Sequence, residues 1–158
     1  MYLGQSVVQL GGGPIEIELG VSLGQVPDGT NTFTIEAGLG DTPTGTTTDG
    51  VYFYFDRAVS TTNWLARAVS NSVGTNVDTG VAATTSWVAM KIVIDDTASD
   101  VKYYINGTLV ATVNSNIPSG SGRSCAPQFK VIGSAGTGGN RYMDIDYYKF
   151  CQTFTTPR

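Results

Sequence analysis

SWVAMKIVIDD (86–96), TASD (97–100) and VKYYINGTLVATV (101–113) decide the fold of this chain. In order they read as a long strand, a short polar loop and a hairpin closed by Asn106-Gly107. A two-residue type I′ turn needs positive φ at both central residues, and Asn-Gly tolerates that best. Counting back from the turn sets Ile105 opposite Thr108, Tyr104 opposite Leu109 and Tyr103 opposite Val110. Bulky groups on both faces predict a hairpin buried on both sides, serving as scaffold. The formal glycosylation sequon Asn106-Gly107-Thr108 is explained by the turn alone.

The same strand-and-turn grammar extends to both ends. Val7, Val8 and Leu10 make a short strand stopped by Gly11-Gly12-Gly13-Pro14. Ile15, Ile17, Leu19, Val21 and Leu23 then alternate with Glu16, Glu18, Gly20 and Ser22, which is the period of a half-buried strand. Phe33 to Leu39 repeats the pattern, with Glu36 on its wet face, and the polar loop 40–50 is too long for a tight hairpin. VYFYFDR places Val51, Phe53 and Phe55 on one side and Tyr52 and Tyr54 on the other. Shorter strands follow at 64–69 and 76–83. Two closing strands, PQFKVIG and RYMDIDYYKF, are joined by the glycine-rich SAGTGGN as a predicted hairpin, and the tail QTFTTPR is read as loose or docked at an edge. No window places apolar residues at helical spacing. About ten short strands punctuated by turns predict an all-β antiparallel β-sandwich of jelly-roll type, one domain over 1–158.

Composition agrees and narrows function. Charged residues make up only 14% of the chain, against ~25% in ordinary soluble domains, while 20 glycines fill the gaps between apolar runs. The net charge of −4, with no Lys/Arg run, argues against a nucleic-acid partner, which needs a basic stripe. No apolar run approaches the ~20 residues that span a bilayer, so no membrane insertion is expected. The N-terminus lacks the basic and apolar regions of a signal peptide. The chain has no histidine, which removes Ser-His-Asp and Cys-His catalysis and His-ligated zinc.

Tyr52 and Tyr54, opposite the apolar set of their strand, are candidates to line a sugar site with Trp64 and Arg67. Flat aromatic faces stack on pyranose rings, and polar neighbours fix orientation. The competing reading is that this face packs on another sheet or subunit. With Met143, Ile145, Tyr147, Phe129 and Val131 all taken as inward, one register of the last hairpin sets Cys125 directly opposite Cys151. The next leaves them diagonal, so a disulfide and two free thiols are both open.

The Trp-led strand 87–95, Tyr103-Tyr104-Ile105-Asn106-Gly107, Leu109-Val110-Ala111 and the ending Ile145 to Phe150 resemble the laminin-G-like, concanavalin A-like jelly-roll domains. GLGD…TDGVYFYFDR…NW, with YYINGTLVATV, NIP and FTTPR, is similar in texture to bacteriophage tail-fibre and other virion appendage proteins. That resemblance implies a virion-borne, non-enzymatic recognition module, trimeric, whose partner is a host-surface glycan or another virion protein. It also implies strands before residue 1, hence a fragment of a longer chain. The alternative is a purely structural or trimerising decoration module. Glycosidases of this fold carry Glu-x-Asp-x-x-Glu on one strand; here the stretch reads Glu16-Ile17-Glu18-Leu19-Gly20-Val21, and the histidine of the alginate-lyase relatives is missing, so no enzyme is expected. The Glu16 and Glu18 carboxylates project side by side and are carried, with Glu36, as candidate ligand contacts on the Tyr52/Tyr54 face. No cofactor is required. Calcium, which these domains often hold at a loop rim, would find Asp95, Asp96 and Asp100, or Asp144 and Asp146, as oxygen donors.

Overall fold

The computed structural model describes residues 7–155 apart from 61, 137 and 138. Strands are numbered in chain order. A six-stranded sheet runs β1 (Val8–Gln9), β10 (Ser124–Ala135), β3 (Thr32–Gly40), β4 (Gly50–Asp56), β5 (Asn63–Ser70) and β6 (Val73–Ala82). A five-stranded sheet runs β11 (Met143–Gln152), β2 (Ile15–Leu23), β7 (Val88–Ile94), β8 (Val101–Ile105) and β9 (Thr108–Val113). Every strand pair is antiparallel, and the described residues contain no helix. The protein is the antiparallel β-sandwich that its alternation predicts.

The core lies between the sheets and forms one contiguous cluster. Ile15, Ile17, Leu19, Val21 and Leu23 of β2 face Phe33, Ile35, Ala37 and Leu39 of β3 across it, all almost fully buried. Aromatic rings bridge the layers edge to face: Phe53 of β4 meets Tyr103 of β8 at 5.2 Å, and Phe129 of β10 meets Tyr148 of β11 at 5.4 Å. The Tyr103 hydroxyl crosses the core to donate to the Arg67 carbonyl at 2.6 Å, which gives its buried O–H a partner.

The opening hairpin closes as counted at its turn, with positive φ at Asn106 and Gly107, and Ile105 paired with Thr108. Beyond Tyr104 the register shifts, so Tyr103 pairs with Ala111 and not with Val110. A β-bulge inserts one extra residue and reverses side-chain parity beyond it. Ala111 and Val113 thereby point inward, and the small Ala111 lies beside the Tyr103 ring. The outer face is not covered as expected: Leu109 is 49% exposed and Tyr104 is half-buried.

The last two strands depart further from the reading of the sequence. PQFKVIG and RYMDIDYYKF do not pair, because β10 lies between β1 and β3 while β11 borders β2 in the other sheet. The glycine-rich connection therefore crosses between layers and does not close a hairpin. A second bulge, at Asp146, flips β11, so Tyr148 and Phe150 pack on the core and Tyr147 turns outward, 43% exposed. Both changes separate the cysteines. Cys125 is buried opposite Val8, Cys151 is exposed opposite Glu16, and both are free thiols. The tail is docked as far as Thr155: Thr153 and Thr155 donate backbone N–H bonds to the carbonyls of Pro14 and Gly12.

Asp95 organises the loop between β7 and β8. Its carboxylate accepts from the Ser99 and Asp100 amides at 2.5 and 3.0 Å and from the Thr97 and Ser99 hydroxyls at 2.8 and 2.6 Å. Burial works against its ionisation, but these donors outweigh it and hold the carboxyl down at about 2.

Two measurements check this description. Burial, and then Asp41 and Asp49, push the Cys125 thiol up to about 12, so a thiol reagent applied without reductant should titrate Cys151 alone in native protein and both cysteines in denaturant; no reactive thiol in denaturant would restore the disulfide. Because its folded-state pKa is depressed, Asp95 stabilises the fold above the ordinary carboxylate range, and that contribution is lost as pH falls toward 2. Asp95→Asn should therefore lower the urea midpoint at pH 6 and converge with the parent protein near pH 2.

Candidate functional site

The alternation that turns Ile35, Phe53, Ala66 and Phe129 into the core turns their neighbours to the outer face of the six-stranded sheet. Strand register arranges those neighbours in rows. One row runs Gln128, Gly38, Tyr52, Arg67 and Asn76 across β10, β3, β4, β5 and β6; the next runs Lys130, Glu36, Tyr54, Leu65 and Asp78. The β3–β4 connection (41–49) arches back over this face. Asp41 accepts from the Thr48 amide and hydroxyl, and Arg123 holds Asp49 at 2.8 Å, so both ends of the loop are tied down. Glu36, Tyr52, Tyr54 and Arg67, with Thr34 and Thr46, line a cavity of about 290 Å³ between loop and sheet.

Its floor is a buried polar network. Lys130 Nζ lies 2.9 Å from Glu36 Oε2 and donates to Thr47 Oγ1 at 2.7 Å and to the Gly45 carbonyl at 3.1 Å. The Thr47 hydroxyl donates to Glu36 Oε2 at 2.6 Å, and Gln128 Nε2 donates to the same oxygen at 2.8 Å. The Lys130 and Glu36 side chains are only 4% and 8% exposed. A pair so far from water is tolerated only because further hydrogen bonds complete it. Glycines make the space: a Cβ on Gly40 would fall 2.4 Å from Gln128 Nε2, and one on Gly38 would fall 2.7 Å from Tyr52 Cα.

On this floor, Arg67 and the tyrosines form a second layer. Arg67 Nε donates to the Tyr52 hydroxyl at 3.1 Å, Nη1 donates to Asn76 Oδ1 at 2.7 Å, and Cζ sits 4.9 Å from the centre of the Tyr54 ring, in cation–π contact. The two tyrosine rings meet edge to face at 6.1 Å, and the Tyr54 hydroxyl donates to Asp56 at 2.9 Å. Burial, reinforced by the Glu36 charge, raises the Tyr52 phenol above its usual range; burial and then Asp56 do the same for Tyr54. Both phenols are therefore neutral hydrogen-bonding groups at any ordinary pH. The assembly can offer a ligand an aromatic edge, guanidinium donors and hydroxyls in one fixed arrangement.

Four of the seven residues proposed from sequence meet here: Glu36, Tyr52, Tyr54 and Arg67. Trp64 does not. Three residues before Arg67 on one strand, it has the opposite parity and packs in the core, 1% exposed, against Phe55 at 6.0 Å. Glu16 and Glu18 project from the other sheet. There Lys91 lies 2.9 Å from Glu16 and 3.7 Å from Glu18, and Lys149 lies 3.5 Å from Glu18, a surface charge ladder. Lys130, Gln128, Thr47 and Asn76 were missed. The alternation of PQFKVIG signals that Gln128 and Lys130 share a wet face, whereas nothing in the sequence brings the Thr47 loop over it. Of the acidic residues considered for calcium, Asp95 is taken up by its own loop. Among the described residues no group of three His, Cys, Asp or Glu is arranged to hold a metal.

Comparison with known proteins gives a family and a fold. The family model described as SO2946-like, C-terminal domain, matches residues 4–146. No curated protein matches. Among solved structures, the protein of unknown function SO2946 from Shewanella oneidensis MR-1 aligns with a TM-score of 0.62 at 16% identity, over 94% of this chain and 62% of that one. Family 7 alginate lyase A1-II′ in complex with substrate gives 0.60 at 16% identity, over 96% of this chain and 66% of that one. Trypanosoma rangeli sialidase gives 0.55 at 14% identity, over 92% of this chain and 21% of that one. The chain thus spans under two thirds of each. These likenesses show a shared jelly-roll-like β-sandwich.

The floor network makes a quantitative prediction. Lys130→Met strands the Glu36 carboxylate and should cost about 3–5 kcal/mol, whereas Lys130→Met combined with Glu36→Leu should recover most of the loss. Denaturant unfolding of both variants measures the difference.

Proposed function

The chain belongs to the SO2946-like C-terminal domain family, and from that premise and its pocket we propose that it is a non-enzymatic module that recognises glycans. The observation that carries this reading is the meeting of Tyr52, Tyr54, Arg67 and Glu36 around one cavity. Aromatic rings beside a few fixed polar groups are the usual composition of a saccharide site. Tyr54, only partly buried, offers the ring for contact, while Tyr52, 1% exposed, supports Arg67 from beneath. The fold likeness to an alginate lyase bound to its substrate and to a sialidase supports a saccharide as the class of ligand.

The pairing of the acidic side chains supports binding without bond cleavage. A catalytic acid or base must be free to exchange a proton with substrate. Glu36 is held by Lys130, Thr47 and Gln128, and the Glu16/Glu18 pair lies on the opposite sheet and is engaged by lysines. Similarity in texture to phage appendage proteins supports the finer setting of a laminin-G-like, trimeric module on a virion, with a host-surface glycan as partner.

One observation favours the structural alternative. Trp87 and Tyr147, 56% and 43% exposed, flank a groove of about 240 Å³ over Gly20 and Ala89 on the five-stranded sheet. Exposed rings so grouped often mark a surface that another chain covers.

A glycan array decides between the two. The parent protein should bind a defined set of glycans, and Tyr54→Ala should lose that binding with its melting temperature little changed. Trp64→Ala, by contrast, should cost about 3–5 kcal/mol of stability because it empties the core. An empty array, together with an oligomer that Trp87→Ala dissociates, would establish the structural module instead.

A further inference from the structure

Building on the reading of this pocket as a glycan site, we infer that it selects an anionic glycan, whose carboxylate or sulfate group is received by Arg67. Arg67 is half-buried, and the contacts of its guanidinium are the Tyr52 hydroxyl, the Asn76 amide oxygen and the Tyr54 ring. All three partners are neutral. Among the described residues no carboxylate oxygen comes within 4.0 Å of it.

The acidic groups near the cavity are engaged elsewhere. Glu36 is matched by Lys130 at 2.9 Å, so that pair brings no net charge. Asp56 accepts from the Tyr54 hydroxyl at 2.9 Å and from the Ala58 amide at 2.8 Å. Asp78, in the adjacent row, accepts from Asn63 at 3.0 Å and from the Gly80 amide at 2.7 Å. Of the charged side chains that line the cavity, Glu36 is ion-paired to Lys130 and Arg67 has no carboxylate within ion-pair distance, in a chain whose net charge is −4. A general excess of basic surface therefore does not explain it.

A partly desolvated cation with only neutral neighbours lacks the counter-charge that such a group ordinarily acquires. The guanidinium is also pre-set. Two contacts fix its plane and use two of its five N–H donors; the others have no protein partner among the described residues. A planar fork held in this way matches the paired oxygens of a carboxylate or sulfate. Stacking on Tyr54 leaves the same ring beside the sugar that carries the anion.

Calorimetric titration of the whole chain tests the inference with three probes of equal length: an oligouronate, its carboxyl-reduced neutral form and a sulfated oligosaccharide. At least one anionic probe should bind about tenfold to a hundredfold tighter than the neutral one, the range expected of a charge-assisted contact. The stronger of the two identifies the anion. Arg67→Gln should bring the binding of the anionic probe down to that of the neutral one. Arg67→Lys, which keeps the charge but not the fork, should fall between. Asn76→Ala, which keeps the charge and frees the plane, should weaken the anionic probe more than the neutral one; thermal melts confirm that each variant is folded. Equal binding of charged and neutral probes, lost in Tyr54→Ala, would overturn the anionic assignment and keep the glycan site. Binding of none of the three probes, with an empty array, would overturn both.

Discussion

The side-chain parity of four adjacent strands is the constraint on which the rest of this molecule depends. Phe129, Ala37, Phe53 and Ala66 stand in one inward row across β10, β3, β4 and β5, large and small in turn. The Tyr103 ring of the opposite sheet packs against Phe53 in that row. Sliding β10, β3 or β4 by a residue would drive Lys130, Glu36 or Tyr52 into the core and expose a phenylalanine. Burial of the inner row thus fixes the register, and the register places the polar outer row without any further instruction.

This explains which part of the site could be read from sequence. Tyr52 and Tyr54 alternate with Val51, Phe53 and Phe55, and Glu36 alternates with Ile35 and Ala37, so parity alone puts all three on an outer face. Arg67 follows from Ala66 and Ala68 in the same way. Trp64 failed because residue type was weighed over parity; an aromatic ring an odd number of positions from Arg67 cannot share its face on a regular strand. Glu16 and Glu18 obey the parity rule but belong to the other sheet. Which strands share a sheet is a matter of long-range pairing, and local alternation carries no information about it. The placement of the Thr47 loop over Lys130 is hidden for the same reason.

Where alternation itself misled, a bulge was responsible. The extra residues at Val110 and Asp146 invert parity partway along β9 and β11, so Tyr103 meets Ala111, and Tyr147 turns outward. Neither position carries a glycine or proline that would announce a break. The register that would set Cys125 opposite Cys151 requires both an unbroken alternation and a hairpin between strands that in fact lie in different layers, and of the two open readings the free thiols are found. The opening hairpin was legible because its signal, Asn106-Gly107, is local chemistry.

The buried network beneath the pocket bears on what kind of site this is. Lys130 and Glu36 could have been apolar at similar or lower cost to folding, so stability is a weak reason for their presence. Their effect is to hold Thr47, and with it the loop wall, at a fixed distance from the sheet. Arg67 is likewise braced from two sides before any ligand arrives. Ordering side chains in advance lowers the entropy that binding must otherwise lose. A rigid cavity whose polar groups are paired in advance presents a ligand with one fixed arrangement of contacts.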